Sequence, residues 1–225
     1  MGRFAFKHGE GVRIMTNVIM EGVKVEGWAV HESIRYQSIL IDPPWNERGG
    51  GKSKRGADRH YALTKDGDIA GLITEQPLWM PDRTGCSIWM WTTVSSLPVC
   101  LDVLKVLGAR YVTHCIWVKG KCAPDGTVQL AAPGIGQRMR VAHEVLVYAT
   151  IGKVPVPPPA KRLSSILVAP RPCIPGTRKP MHSAKPVQAY ARMEAHDPPG
   201  IRRAELFARR THPAWDASGD QLEAP

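Results

Sequence analysis

The chain has 225 residues, of which 43% are hydrophobic, so it can build one α/β domain with a sizeable core and is not a disordered polymer. No apolar run approaches the roughly 20 residues of a membrane span, and the N-terminus lacks a signal peptide, so we expect a cytoplasmic protein without a membrane partner. The five cysteines contain no Cys-x-x-Cys pair, which predicts free thiols and no metal site. A formal net charge of +10 favours a polyanionic partner.

Apolar runs and breaker residues predict strands and helices that alternate along the chain. Residues 1–30 give no clear assignment, and we expect a single domain over residues 31–225. The predicted strands cover residues 36–41, 86–91, 111–118, 144–150, 165–169 and 204–208. Helices are predicted at 68–73, from Leu97 to Gly108, and from Pro186 onward. This alternation predicts an α/β fold with a mostly parallel sheet and helices on both faces.

Three segments have the composition of loops rather than of helices or strands. Residues 46–60 are rich in glycine and basic side chains and predict a mobile basic loop. Residues 120–142 show no clear periodicity, and we expect a loop there as well. Residues 153–160 contain the run VPVPPP, which is too rich in proline for a helix or a sheet interior and predicts an exposed loop.

The tetrad Asp42, Pro43, Pro44 and Trp45 directly follows the first predicted strand, at the position where open α/β sheets bind ligands. Two consecutive prolines stiffen the backbone and remove two N–H donors, which leaves acceptors. An Asp carboxylate and a proline carbonyl could each accept one N–H of an exocyclic amino group, such as N6 of adenine, and aim its lone pair at a methyl donor. Trp45 could stack on the base, worth on the order of 1–3 kcal/mol. The tetrad is therefore the candidate catalytic motif.

The tetrad resembles the signature of the MTA-type, or DPPW, adenine-N6 methyltransferases, and in particular their bacterial and phage DNA branch. Further motifs follow in that family's order: RHY at 59–61, IWMW at 88–91, HSAKP at 182–186, ELFAR at 205–209 and GDQL at 219–222. The resemblance covers roughly residues 36–222. It implies a Rossmann-like methyltransferase fold that binds S-adenosylmethionine, with a permuted order in which the catalytic motif comes first.

The same resemblance implies which residues bind the cofactor. Lys185 would pair with the methionine carboxylate of S-adenosylmethionine, and Glu205 would hold the ribose hydroxyls. Arg209 would contact the ribose region. Asp220 and Gln221 match a pair that contacts the ribose and the adenine, although the family more often has Asn at the first of these positions.

A basic segment after the tetrad is the candidate nucleic-acid contact. Lys52, Lys54 and Arg55 would contact phosphates, which makes affinity depend on salt without specifying sequence. His60 and Tyr61 belong to a segment that resembles the family's substrate-side loop, and Tyr61 would line the target pocket. We expect base flipping, since N6 is not accessible for attack inside a duplex.

Four questions stay open from the sequence. DNA of a bacterium or a phage-infected host is the expected substrate, because the chain is compact and carries no RNA-binding module; RNA adenine and cytosine N4 are alternatives. An inactive nucleic-acid-binding partner subunit is the non-enzyme alternative. The protein could be a monomer or a homodimer, and a partner subunit is possible. The recognition sequence cannot be read from these residues.

Overall fold

The computed structural model describes residues 34–45, 69–122, 127–132, 138–174, 177, 181, 184–220 and 222. The described residues belong to one compact unit that begins at Ile34. The N-terminal segment 1–30 and the basic loop 46–60 lie outside the described residues, and the predictions made for them stay predictions.

Eight strands and three α-helices occur in the described part of the chain. They are β1 (Ser38–Ile41), α1 (Ile69–Thr74), β2 (Gly85–Thr92), α2 (Leu97–Val106), β3 (Arg110–Cys122), β4 (Val128–Leu130), β5 (His143–Gly152), β6 (Ile166–Pro170), α3 (Val187–His196), β7 (Arg203–Leu206) and β8 (Asp216–Ser218). The proline-rich segment is irregular except for one 3-10 turn at Pro159–Lys161. No helix among the described residues is long and apolar enough to span a membrane.

All eight strands form one sheet in the order β4-β3-β5-β2-β1-β7-β8, with β6 paired to β3. The pairs β1–β2, β1–β7, β7–β8 and β3–β6 are parallel. The pairs β2–β5, β3–β5 and β3–β4 are antiparallel. The sheet is therefore mixed. The prediction of a mostly parallel sheet is wrong for the part that contains β3, β4 and β5, which pair with one another and with β2 in antiparallel fashion. β5 runs against both of its neighbours, and the alternation of apolar residues along a strand does not encode its direction.

Side chains alternate between the two faces of the sheet, as the two-residue repeat of a strand requires. One side, which we call the aliphatic face, carries Ile39, Ile41, Ile88 and Met90 and packs against α1 and α2. The other, which we call the aromatic face, carries Leu40, Trp89, Trp91, Trp117 and Tyr148 and packs against Tyr190 and its neighbours in α3. The prediction of helices on both faces is confirmed.

Two strands, β4 and β8, were not predicted from the sequence, because each is only three residues long and lacks the pattern of a half-buried strand. Residues 120–142 are not a loop throughout, since β3 continues to Cys122 and pairs with β4. All three residues of β4 are exposed, so no alternation of buried and exposed positions reveals the strand. β8 is also only three residues long and contains no large apolar residue.

The strand β1 lies where the chain changes direction across the sheet. The connection from β1 to its neighbour β2 passes through α1 on the aliphatic face, and α3 leads into its other neighbour, β7, from the aromatic face. Adjacent parallel strands whose helices lie on opposite faces leave a crevice beyond their carboxyl ends. By this rule the candidate ligand-binding position of the fold lies beyond β1 and β7.

Candidate active site

The tetrad lies at that crevice, directly after β1. Asp42 and Pro44 are partly exposed, whereas Pro43 is buried and Trp45 is only 6% exposed. The backbone N–H of Trp45 donates to the carbonyl of Pro43 over 2.9 Å, which closes a three-residue turn. The turn leaves the second lone pair of the Pro43 oxygen available as an acceptor.

Trp45 anchors this turn to the sheet. Its Nε1 donates to the backbone carbonyl of Trp91 at the end of β2, over 2.7 Å, and its ring packs in the cluster of the aliphatic face. The structure therefore gives Trp45 an anchoring role, and the stacking on a base that the sequence predicts stays a prediction.

A chain of four charged side chains extends from the tetrad across the sheet edge. Nζ of Lys185 lies 2.8 Å from a carboxylate oxygen of Asp42 and 3.4 Å from one of Glu144. Glu144 also pairs with Lys119, at 2.6 Å. Glu144 is the second residue of the antiparallel strand β5, so it reaches the same edge as the carboxyl ends of β1 and β2. Negative and positive charges alternate along this row of four side chains, and each carboxylate has a cation beside it.

Burial and these ion pairs act in opposite directions on the pKa values. Burial raises the pKa of Asp42, and the charge of Lys185 opposes this without cancelling it. Burial would also raise the pKa of Glu144, but Lys185 and Lys119 together hold it below its usual value. Burial would lower the pKa of Lys185, yet Asp42 and Glu144 raise it above its usual value. Lys185 is thus held as a cation between two carboxyl groups.

Two contacts fix the segment that carries Lys185 ahead of α3. The ammonium lies 5.6 Å from the centre of the Trp91 ring, in a cation–π contact on the aromatic face. Arg210 donates to the backbone carbonyl of Lys185 over 3.0 Å. The methionine-carboxylate role predicted for Lys185 stays a prediction, and its pairing with Asp42 and Glu144 is an additional finding.

Glu205 lies in β7 beside Leu40 of β1 and is 7% exposed. Its two carboxylate oxygens are each 2.9 Å from the hydroxyl of Tyr190 in α3. Burial raises the pKa of Glu205 to about 7, with the Tyr190 hydroxyl opposing the rise and the Asp42 charge adding to it. The ring of Tyr190 stacks on His212, with centroids 4.2 Å apart and planes 4° from parallel. The crevice therefore holds a third carboxyl group, close enough to Asp42 to sense its charge.

The chain turns sharply after β7, where the other predicted cofactor residues lie. Phe207 has a φ of 61°, in the left-handed region that few non-glycine residues adopt. Arg209 is half-buried, and its charge lowers the pKa of Asp42, so the structure brings these two side chains near each other. A Cβ on Gly219 would lie 2.2 Å from the Ala208 carbonyl, so only glycine permits this approach of two backbones. Asp220 follows it and is exposed.

The remaining predicted site residues lie outside the described residues: Gln221, Lys52, Lys54, Arg55, His60 and Tyr61. Their predicted roles stay predictions. Within the described ranges, no group of three or more His, Cys, Asp or Glu side chains could hold a metal ion. The described side chains of the site are carboxylates, cations and aromatic rings.

A family model decides which group of proteins the chain belongs to. The model named MT-A70 matches residues 36–221, which include β1, the tetrad, the chain of charged side chains and β7. The chain belongs to the MT-A70 family. The resemblance noted from the sequence is therefore confirmed at the level of the family.

One curated relative of this MT-A70 chain is the mouse (Mus musculus) protein named N(6)-adenine-specific methyltransferase METTL4. The two are 23% identical over 202 residues, which is 83% of this chain and 37% of the relative. The chain thus spans well under half the length of the relative that it matches.

Three residues of the MT-A70 site were not singled out as site residues from the sequence. Glu144 lies in β5 and Lys119 lies in β3, and most other positions of these strands on the aromatic face are apolar. A charged residue at such a position indicates a candidate site residue in the sequence. Tyr190 reads as an ordinary apolar position on the inner face of α3. Its bond to Glu205 joins elements that no local pattern connects, so only the fold reveals it.

Proposed function

We propose that this MT-A70 chain is an S-adenosylmethionine-dependent methyltransferase that methylates N6 of adenine in DNA. The position of Asp42 carries the proposal. Its carboxylate is partly exposed, lies 2.8 Å from Nζ of the half-buried Lys185, and is followed in the chain by the Pro43 carbonyl. Two consecutive residues that each carry an acceptor, directly after β1, suit an amino group that has two N–H bonds to donate.

Catalysis in this proposal is mainly positioning. Asp42 would accept one N–H of the adenine amino group and the Pro43 carbonyl the other, which directs the nitrogen lone pair away from both. Asp42 accepts more strongly when it is ionised. Lys185 favours the ionised form, because its charge opposes the rise in the Asp42 pKa that burial causes. Asp42 does not need to be a strong base, since the nitrogen can lose its proton after the transfer.

The side chains around the crevice fit S-adenosylmethionine. The cofactor carries a carboxylate, a sulfonium and a ribose with two hydroxyl groups. Lys185 and Arg209 provide cations for the carboxylate and the ribose region, Glu205 provides an acceptor for the hydroxyls, and Asp42 is an anion near the sulfonium. When bound, the cofactor supplies an electrophilic methyl group. Asp220 and Gln221 complete the proposed set, and the permuted motif order is part of the same proposal.

The proposed substrate is a nucleic acid, on the strength of the net charge and of the family. A chain with a net charge of +10 suits a polyanion. In the proposal Lys52, Lys54 and Arg55 contact phosphates, while His60 and Tyr61 line the pocket for the flipped base. DNA is chosen over RNA because the motifs resemble the bacterial and phage DNA branch. A second copy of the chain or a partner subunit would not alter this chemistry.

The test is methylation of defined substrates followed by mass spectrometry. Purified protein would be incubated with S-adenosylmethionine and, separately, duplex DNA, single-stranded DNA and RNA, and each product would be digested to nucleosides. The Asp42→Ala variant is the matched control, with Asp102→Ala as a control at an exposed carboxylate on α2. We expect N6-methyladenine in DNA from the native protein and from Asp102→Ala, and a loss of at least about 100-fold in Asp42→Ala.

Each other result contradicts a specific part of the proposal. N4-methylcytosine would overturn the choice of base, and methylation confined to RNA would overturn the choice of DNA. Full activity in Asp42→Ala would remove the tetrad from the mechanism. Binding of S-adenosylmethionine without methylation of any substrate would favour an inactive binding subunit.

A further inference from the structure

A cavity of about 490 Å³ lies on the aromatic face, at the sheet edge opposite the tetrad. Its floor is formed by β2, β3 and β5, its side by the end of α3, and its roof by residues 153–165, which we call the proline strap. Thr150 of β5 lines it, whereas Glu144 of the same strand belongs to the active site. Six residues of strand span about 20 Å, so the cavity is separate from the active site.

The deep part of the cavity is aromatic. The rings of Trp89 and Tyr148 lie 4.5 Å apart, and His196 meets them edge-on, at 5.1 Å from Trp89 and 4.7 Å from Tyr148. Flat apolar surfaces of this kind favour a planar ring, and the volume lies in the range of roughly 300–1,000 Å³ typical of small-molecule sites.

Three buried polar atoms on residues that line this cavity have no hydrogen-bond partner among the described residues. They are Nε1 of Trp89, Oγ1 of Thr150 and Nδ1 of His196. Trp89 is 5% and Thr150 7% exposed. A buried polar atom left unpaired is destabilising, so three of them on residues around one cavity mark a place where a ligand that reaches them would add hydrogen bonds. The indole N–H can only donate, so that ligand needs at least one acceptor on its ring.

The charge around the cavity has one sign. Arg110, Lys153, Arg162 and Arg192 line it, and no acidic side chain does so among the described residues. Arg162 donates to the Pro157 carbonyl over 3.2 Å, and Arg192 donates to the carbonyls of Ser164 and Ile166. These two arginines hold the strap over the cavity while their charges stay at its rim. A cavity with cations and without carboxylates favours an anion.

From this cavity we infer a second binding site, which takes an anionic heteroaromatic molecule of the size of a nucleoside monophosphate. The ring lies against Trp89, Tyr148 and His196 and accepts from the Trp89 indole. The anionic group lies at the rim beside Arg110. The site is independent of the methyl transfer proposed above, because it shares no residue with the crevice at β1 and β7.

Nuclear magnetic resonance of the indole N–H groups tests this site directly. The spectrum of the ¹⁵N-labelled protein contains a Trp89 indole peak that is identified by its loss in Trp89→Phe. Uridine 5′-monophosphate is the main probe, because it contains neither the adenine of the proposed target nor that of the proposed cofactor. The adenosine, guanosine and cytidine monophosphates complete the panel, and uridine provides the uncharged comparison.

We expect uridine monophosphate to shift the Trp89 indole peak with saturation and a Kd below about 1 mM, with uridine about tenfold weaker. Arg110→Gln should weaken the monophosphate about tenfold and leave uridine unchanged, whereas Lys105→Gln, an exposed charge on α2, should change neither. Thr150→Val, which keeps the shape and removes the hydroxyl, should weaken both ligands.

The Asp42→Ala variant separates this inference from the proposed methyl transfer. It should bind uridine monophosphate as the native protein does, even if no methylation is found. An unchanged Trp89 peak with all four monophosphates at about 10 mM would overturn the inference. So would shifts that disappear in Asp42→Ala and persist in Arg110→Gln and Thr150→Val, since the probe would then occupy the active-site crevice.

Discussion

The two faces of the sheet use the same strands for different purposes. On β2, Ile88 and Met90 point to the aliphatic face, and Trp89 and Trp91 point to the aromatic face. The aliphatic face is covered by α1 and α2 with side chains that are almost entirely buried. The aromatic face carries the charged chain at one edge and the cavity at the other.

Within a single strand, residues that pack in the aliphatic core therefore alternate with residues that face the candidate site or the cavity. Consecutive residues of a strand face opposite ways, so one position can be chosen for packing and the next for binding. The aliphatic face buries apolar surface, which contributes roughly 25 cal/mol per Å². On the aromatic face, polar groups are buried beside rings, which costs stability unless they are paired. Variants on the two faces should therefore have different effects on stability and on turnover.

The largest expected effect is that of Lys185→Met on the aromatic face. The substitution leaves the carboxylates of Asp42 and Glu144 at the crevice without the cation between them. Removing one member of a buried ionic network costs about 3–5 kcal/mol, so we expect a loss of that size in the free energy of unfolding. Methylation should fall by at least about 100-fold. Urea unfolding and the nucleoside assay measure the two effects.

Lys105→Met is the matched control, because Lys105 forms an exposed ion pair with Asp102 on α2. It should unfold and methylate as the native protein does, since exposed pairs contribute little. If both lysine variants behave alike, the chain of charges at the crevice has no special role.

A smaller effect, confined to a pH window, is expected of Glu205→Gln. The native carboxyl has a pKa of about 7, against a usual value of 4.5. The folded state therefore holds this proton between about pH 4.5 and 7 when the unfolded chain has lost it, and stability falls as pH rises through that window. The native protein should lose about 3 kcal/mol relative to Glu205→Gln between these pH values. Urea unfolding at several pH values measures the difference.

Glu75→Gln, at an exposed position after α1, removes a carboxylate without touching the crevice and is the control for Glu205→Gln. Parallel pH profiles for the native protein and Glu205→Gln would show that Glu205 does not hold its proton in this window.

The smallest effect is expected of Ile88→Val on the aliphatic face. Ile88 is fully buried in β2, and removing one methylene from such a position costs about 1 kcal/mol. Turnover per folded molecule should not change, because the side chain points away from the crevice. Unfolding and methylation measured on one preparation test this. A fall in turnover larger than the fall in stability would show that the two faces are not independent.

The sequence was sufficient for the features that depend on local patterns. The apolar run before Asp42 predicted β1, and Gly108, with a φ of 72°, marked the exit from α2. The position of the tetrad followed from the strand and from the proline pair.

Features that depend on long-range contacts were not accessible from the sequence. The antiparallel direction of β5 depends on which strands surround it, and Trp45 could be seen as buried only once the Trp91 carbonyl was placed beside it. The pairing of Lys185 with Asp42 and Glu144 joins three segments that are far apart in the chain. No residue spacing encodes such a contact.

The pairing of β1 with β7 has a consequence for synthesis of the chain. The backbone of Arg202 bonds to the Gln37 side chain across 165 positions, at the start of the β1–β7 pair. A ribosome adds roughly 5–20 residues per second, so β1 waits on the order of ten seconds or more for its neighbour. During that time one edge of β1, whose last three residues are apolar, is open to other chains. The unfinished chain is therefore open to aggregation through the strand that later positions Asp42.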